Sequence, residues 1–401
     1  MHILIVGASI AGLTAAVSLR KSGFKKVTVF ERLAAPKEAR RPRNGGGIGL
    51  HDNSLQILWD LGIQFDDYLP MQDQEDRDRT GRIIRQSVIP FSAAYWGDLH
   101  EKLLQKAMEL GVDIVYSKNV TNIQELENSV SLVFQDSTVV EGDCLIGADG
   151  SLSVIRSCIF PGDILRHAGY FAWRGLVPFS EMESGFRTTV ENKFKLGNFV
   201  IEMTERSHAI VYYLPQGLNW LIYMNSNENV DPTYINRDNV IGNITGKANL
   251  DEFNSLYNFV DSHYQPVLGA IVRKTKAPFK NQIYDIDPLN SYSKNRVLLI
   301  GDAAHATTPH YIRGSNMAID DGSSLALAFV KTSNKSGDYH PKEAFAEFEN
   351  HRKAYCNQVV QISRSLGRVR QGIFNSSQSL NWDLTCTGED LTSMFQKLEV
   401  L

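Results

Sequence analysis

The first chemical signal lies near the start of the chain. Gly7-Ala8-Ser9-Ile10-Ala11-Gly12 follows an apolar run, His2 to Val6, and precedes a stretch with helical spacing, Leu13 to Ser22. Gly7 suits a tight turn, and Gly12 lets a helix pack close to a strand. The N–H groups at the start of the helix then face outward, where they can hold a pyrophosphate. The middle glycine of the dinucleotide fingerprint is replaced by Ser9, which is small, and Ala11 precedes the last glycine. Glu31 ends the next apolar run, Lys26 to Phe30, where a carboxylate can accept hydrogen bonds from a ribose. Strand, glycines, helix and terminal acid in this order point to a bound dinucleotide. They do not distinguish a nicotinamide from a flavin.

More distant segments make that distinction. Gly147-Ala148-Asp149-Gly150, followed by Ser153 and Arg156, resembles the GADGxxSxxR motif of flavoprotein aromatic hydroxylases. Val297 to His305, with Gly301-Asp302-Ala303-Ala304-His305, resembles their second flavin motif. Gly46-Gly47-Ile48-Gly49-Leu50 with Asn53 and Leu55 is similar to the family's loop-to-helix segment, and Ala168 to Gly175 resembles the salicylate, 6-hydroxynicotinate and urate hydroxylase subgroup. The chain thus resembles class A FAD-dependent monooxygenases over most of its first 330 residues.

The resemblance implies roles for particular residues. Gly7, Ser9, Ala11 and Gly12 would cradle the FAD pyrophosphate, with Glu31 on the adenosine ribose and Arg32, Gly47 and Val120 beside the cofactor. Asp149 would lie near the adenosine and pyrophosphate, and Asp302 would bind the ribityl hydroxyls. Gly314, Ser315 and Asn316, at a helix start, would offer N–H groups to the negative edge of the reduced flavin. Pro309 would sit between flavin and substrate. The implied reaction reduces the flavin with NADPH or NADH, a transient visitor for which no second fingerprint exists. O2 then adds to form a C4a-hydroperoxyflavin, which hydroxylates a small aromatic or heteroaromatic compound. The same scaffold could instead serve an epoxidase, an antibiotic-modifying monooxygenase, or a flavin-binding protein without turnover.

His208, Tyr212 and His310 are the candidates for polar or catalytic contact with substrate, and Trp173, Arg174, Tyr223 and Tyr311 are further candidates for its pocket. Alternating aromatic residues in a strand more often build core than a site. His305 reads as structural. Two departures from the family pattern stand out. Trp96 occupies a place where the family often has Arg, and Ile312-Arg313-Gly314 replaces Gly-Gln-Gly. The first removes a cation from near the flavin; the second supplies one.

These residues require a particular frame. Buried parallel strands are expected near residues 2, 27, 144 and 297, the last as a central strand. Helices are expected over Asn53 to Leu61, Leu99 to Leu110, Ser151 to Cys158, Gly314 to Lys331 and Pro341 to about Phe374. Arg40 to Gly49 reads as a loop, Asp113 to Glu141 as a small meander, and His167 to Tyr223 as a larger mixed or antiparallel sheet. The fold class expected is α/β: a Rossmann-like FAD-binding domain interleaved with a mixed β-sheet substrate domain, plus C-terminal helices. The FAD-binding part would comprise 1–75, 98–165 and 285–340, the substrate part 76–97 and 166–284, and a helical segment 341–401.

Composition narrows the class. The chain has 401 residues, 43% apolar and 21% charged, with a net charge of −4, so it has no basic field for nucleic acid. Cys144, Cys158, Cys356 and Cys386 have neither disulfide-framework nor zinc spacing, so neither bridges nor a metal are expected. Ile3 to Leu19 is uncharged, but it has no basic flank and glycines interrupt it, which argues against a signal or a membrane span. A cytoplasmic monomer or homodimer is the expectation.

Overall fold

The computed structural model describes residues 1–35, 46–162, 165–226, 233–235, 245–246, 248–333 and 339–372. Its first layer is a six-stranded sheet in the order Ser293–Lys294, Val297–Leu299, Cys144–Gly147, His2–Val6, Lys26–Phe30 and Asp113–Val115. All neighbours are parallel except the first pair. The apolar strand near residue 297 therefore lies next to an antiparallel edge. Asp113–Val115, expected in the meander, is instead the opposite edge of this sheet, and the three-stranded meander begins only at Val120. A strand of three residues is too short for its period to reveal which sheet it joins.

The helix Ile10–Lys21 is buried along nearly its whole length, as its small and apolar residues on every side require. The helix Gly314–Thr332 lies directly on it. Gly322 makes that contact possible, because a Cβ there would stand 2.6 Å from the Ala15 backbone nitrogen. The two helices thereby bring their N-termini to one side of the sheet.

The second layer is a ten-stranded sheet. Its long strands are Phe279–Ile286, Leu165–Pro178, Gly217–Asn225, Ser207–Leu214, Asn198–Thr204, Tyr68–Arg77 and Ile83–Tyr95. Gly47–Leu50, expected in a loop, pairs antiparallel with Ser92 to Tyr95 at the rim of this sheet; 36–45 lie outside the described residues. The expected sheet over His167 to Tyr223 is interrupted by the helix Ser184–Lys193. Helices Leu250–His263 and Pro266–Lys274 cover the outer face, where Trp173, Val200, Trp220 and Ile222 pack. The inner face carries Phe91, Phe199, Ile210, Tyr212, Leu221 and Tyr223 toward the first layer. The helix Pro341–Arg370 closes the molecule. Among the described residues no helix is long and apolar enough to cross a membrane, and Cys144, Cys158 and Cys356 form no disulfide.

Candidate active site

The glycine turn is built as its sequence requires. Gly7 has φ +106°, in the left-handed region, and a Cβ there would fall on the Ala148 carbonyl. A Cβ on Gly12 would fall on the Gly7 carbonyl, so the helix cannot approach with any larger residue. Glu31 is buried, and its carboxylate accepts hydrogen bonds from the N–H groups of Ala8 and Leu33, each at 3.0 Å. Beneath the turn, His100 Nε2 lies 2.8 Å from the Ala8 carbonyl, and Trp96 stacks on His100 with ring centroids 4.8 Å apart. Trp96 thus supports the turn through His100.

A cavity of about 370 Å3 opens between the two layers. Ser9, Ile10, Ala11, Ala148 and Gly150 form one end. Asp302, Pro309, Arg313, Gly314 and Ser315 line the middle, and Arg174, Tyr212, Tyr223, Phe91, Phe199, Ile210 and Leu221 the other end. Two helix N-termini open on it, at Ile10 and Gly314, and no side chain caps either of them. Each presents N–H groups and the positive end of a helix dipole, as a pyrophosphate and an anionic flavin edge would require. Asp302 stands exposed in the wall, its backbone aimed by Gly301 at φ +58°. These features fit FAD along this wall.

The side chains behind this wall lock the motifs together. Arg156 donates to the carbonyls of Ala303 at 2.9 Å and Ser151 at 2.7 Å, joining the GADG segment to the Gly301-Asp302 segment. Asp321 accepts from the Gly301 N–H at 2.8 Å and from Arg352 Nε at 2.9 Å, and lies 2.6 Å from His305 Nε2. Burial disfavours the His305 charge, but Cys356 and the Asp321 carboxylate raise its pKa well above the ordinary value. Burial would raise Asp321, yet His305 and Arg352 hold it down at about 2. Metal-ligating atoms of His305, Asp321 and Cys356 come within 4.8 Å of one another, but the Arg352 guanidinium already supplies a cation there.

Several anticipated site residues do not reach the cavity. Asp149 turns its carboxylate to the helix Val154–Ile159, accepting from Ser153 Oγ at 2.6 Å and from the N–H of Val154 at 2.7 Å. Val120 is buried in the meander, and Arg32 is exposed on the surface. Trp173 packs on the outer face because it adjoins Arg174 in one strand, and successive residues of a strand face opposite sides. His208 stacks on Tyr223 with centroids 4.5 Å apart, on the far side from the cavity, and its Nδ1 lies 2.8 Å from Gln371 Oε1. His310 turns inward to Tyr170, Nε2 to hydroxyl 2.8 Å, and Tyr311 is buried outside the cavity wall. Burial pushes the pKa of His208 down to about 3 and that of His310 well below the ordinary value, so both rings are neutral and weakly basic. Asn316 also works structurally: its Nδ2 donates to the carbonyls of Ile312 at 2.8 Å and Gly49 at 3.0 Å.

At the apolar end of the cavity the expected Arg174, Tyr212 and Tyr223 are present, but Phe91, Phe199, Ile210 and Leu221 escaped sequence reasoning, although a signal existed. Tyr212 and Ile210 are two apart in one strand, as are Tyr223 and Leu221 in its neighbour, and each pair shares a face. The Phe199 ring packs 5.3 Å from that of Tyr212, and cross-strand register sets Arg174 opposite Leu221. Ile312 was also missed as a wall residue. It has φ +56° and ψ 28°, which costs a β-branched residue about 1–2 kcal/mol.

The FAD binding domain family model matches residues 1–190 and 271–363, more than half of the chain. The chain is 29% identical over 378 residues to a 6-hydroxynicotinate 3-monooxygenase of Pseudomonas fluorescens, covering 90% of each. It is 28% identical over 384 residues to a 3-hydroxybenzoate 6-hydroxylase of Polaromonas naphthalenivorans, covering 92% of this chain and 88% of the relative. In fold it is similar to the 2,6-dihydroxypyridine-3-hydroxylase of Arthrobacter nicotinovorans, with a TM-score of 0.77 at 24% identity over 94% of this chain and 95% of that one. The family match across the sheet that carries the dinucleotide turn, with relatives of one reaction class along nearly the full length, makes this protein a member of the class A FAD-dependent aromatic monooxygenases.

Proposed function

We propose that the enzyme uses NAD(P)H and O2 to hydroxylate a small aromatic or heteroaromatic compound that binds as an anion. The observation carrying this reading is the continuity of one cavity from the uncapped helix end at Gly314 to Arg174. FAD, once reduced by NAD(P)H, supplies an oxygen atom drawn from O2.

The protein's share is positioning and electrostatics. Phe91, Phe199, Ile210 and Leu221 offer an apolar slot for a ring and exclude water from it. The Arg174 guanidinium has a buried Nε with no protein partner, so it favours a phenolate or carboxylate on that ring. Burial raises the pKa of Tyr212 and Tyr223, which stay protonated and can donate to the same group. His208 and His310 lie behind this wall as neutral rings, so Arg174 supports the substrate's ionisation by stabilising its anion. The relatives named above act, by name, on hydroxylated rings that include a hydroxybenzoate and a hydroxynicotinate, which supports this substrate class.

The test is purification with the flavin spectrum recorded, then NADH and NADPH oxidation under air with a panel of hydroxylated benzoates and pyridines. The expected result is substrate-stimulated oxidation and a product that has gained one oxygen atom from labelled O2. A protein that takes up no FAD, or oxidation that yields only hydrogen peroxide with every ring tried, would defeat the proposal.

A further inference from the structure

The segment Thr308 to Ile312 is held at almost every residue from outside the cavity. Ser363 Oγ bonds the Thr308 carbonyl and lies 2.9 Å from Thr308 Oγ1, and it accepts from the Tyr311 N–H at 3.3 Å. Arg370 donates to the His310 carbonyl at 3.2 Å, and Asn316 donates to the Ile312 carbonyl at 2.8 Å. Tyr170 holds the His310 ring, and Gly367 leaves the room for both, since a Cβ there would strike the Tyr170 hydroxyl. This clamp keeps Ile312 in the left-handed region, which a β-branched residue otherwise avoids.

Strain that the surroundings over-determine points to a use for the residue held there. A use is visible in where the side chain goes. Ile312 lines the cavity beside Pro309 and packs with the inner-face cluster that contains Phe91, Tyr212 and Leu221. Its Cγ2 lies on the backbone of Gly49, where a Cβ would collide with it and stand 2.8 Å from Phe91 Cδ2. The side chain therefore fills the space over Gly49 and the Phe91 ring at the rim of the substrate sheet.

From this we infer that Ile312 is a specificity-determining residue that limits the cavity to single-ring substrates, and this rests on the function proposed above. With the side chain removed, the space it occupies over Gly49 and Phe91 becomes part of the slot. A fused second ring then has somewhere to lie. The selection is steric, so it acts on binding and needs no turnover to be seen.

The experiment compares the holoenzyme with its Ile312→Gly and Ile312→Val variants. The probes are 4-hydroxybenzoate and its fused-ring homologue 6-hydroxy-2-naphthoate, with dissociation constants read from perturbation of the flavin absorbance. In Ile312→Gly the affinity for the naphthoate relative to the benzoate should rise at least about tenfold. Ile312→Val, which keeps most of the volume, should stay near the parent ratio. Thermal stability of the Gly variant should not fall far, because glycine relieves the strain as packing is lost. An unchanged ratio in a Gly variant that still holds FAD would overturn the assignment, as would an equal rise in Ile312→Val. Failure of every aromatic to stimulate NAD(P)H oxidation in the parent would count against the proposed function alone, because this readout does not use turnover.

Discussion

The two ends of the cavity are made of different materials. At the flavin end the lining is backbone: a glycine turn, two helix ends without side-chain caps, and peptide groups fastened from behind, carbonyls by Arg156 and the Gly301 N–H by Asp321. At the other end it is side chains standing on a sheet face, Phe199, Ile210, Tyr212, Leu221 and Tyr223, with Arg174 among them. Backbone contacts depend on φ, ψ and close approach, so one methyl group in the wrong place breaks them. Side chains on a sheet can be exchanged one at a time while the sheet persists. The flavin end is therefore brittle and the substrate end adjustable.

The largest effect should come from breaking the brittle end. Gly7→Ala places a Cβ on the Ala148 carbonyl in a backbone conformation that already costs an L-residue about 1–3 kcal/mol. FAD should be lost on purification, with a drop in melting temperature of several degrees; the flavin-to-protein absorbance ratio and a thermal melt check both. A Gly7→Ala enzyme that keeps its FAD would mean the turn is less rigid than its geometry implies.

At the adjustable end a comparable change should spare the cofactor. Arg174→Gln should lower kcat/KM for an anionic aromatic about 10- to 100-fold, the cost of losing hydrogen bonds to a charged group, with FAD content unchanged. Loss of FAD in this variant would erase the distinction between the two ends.

The smallest effect separates the ends by pH. His208, behind the substrate face, has its pKa depressed to about 3, below the ordinary 6.5. The unfolded chain binds a proton there first as pH falls, so stability is lost between about pH 6.5 and 3, by up to about 1.4 kcal/mol per pH unit from this group. His305, behind the flavin end, has its pKa raised, so its contribution is present below the ordinary value and is lost as pH rises through the folded one. Melting temperatures across pH should show His208→Asn flattening the acid limb and His305→Asn the alkaline limb. Identical slopes in both variants would show that these histidines do not report on separate ends.

The same contrast explains what could be read from residues alone. The parallel strands at 2, 27, 144 and 297 and the turn at Gly7 were legible because each is a local pattern: an apolar run, then glycines, at set spacing. Asp302 and Gly314 were placed through motifs of the same local kind, and both line the cavity. Trp173 misled because chemical type says nothing about which face of a sheet a residue occupies, which depends on register, whereas His208 and His310 misled because tertiary packing buries them behind Tyr223 and against Tyr170. Phe91, Phe199 and Ile312 stayed hidden because no local pattern marks them. Their importance comes from neighbours more than 40 residues away, such as Gly49 beside Phe91 and Ile312.

The strand order of the parallel sheet has a consequence for how the protein comes into being. His2–Val6 lies beside Cys144–Gly147, which in turn lies beside Val297–Leu299, so the strands of the flavin sheet are synthesised across residues 2 to 299 of 401. On the ribosome the opening strand–turn–helix unit emerges early but has no partner on one side until residue 144 appears. Asp302 and the helix end at Gly314 arrive only after that sheet is complete. Cofactor capture is thus a late event in biogenesis. Contacts this distant in sequence also make folding slow, and a chain released before Val297–Leu299 presents a sheet with its Cys144–Gly147 strand unpaired on one side.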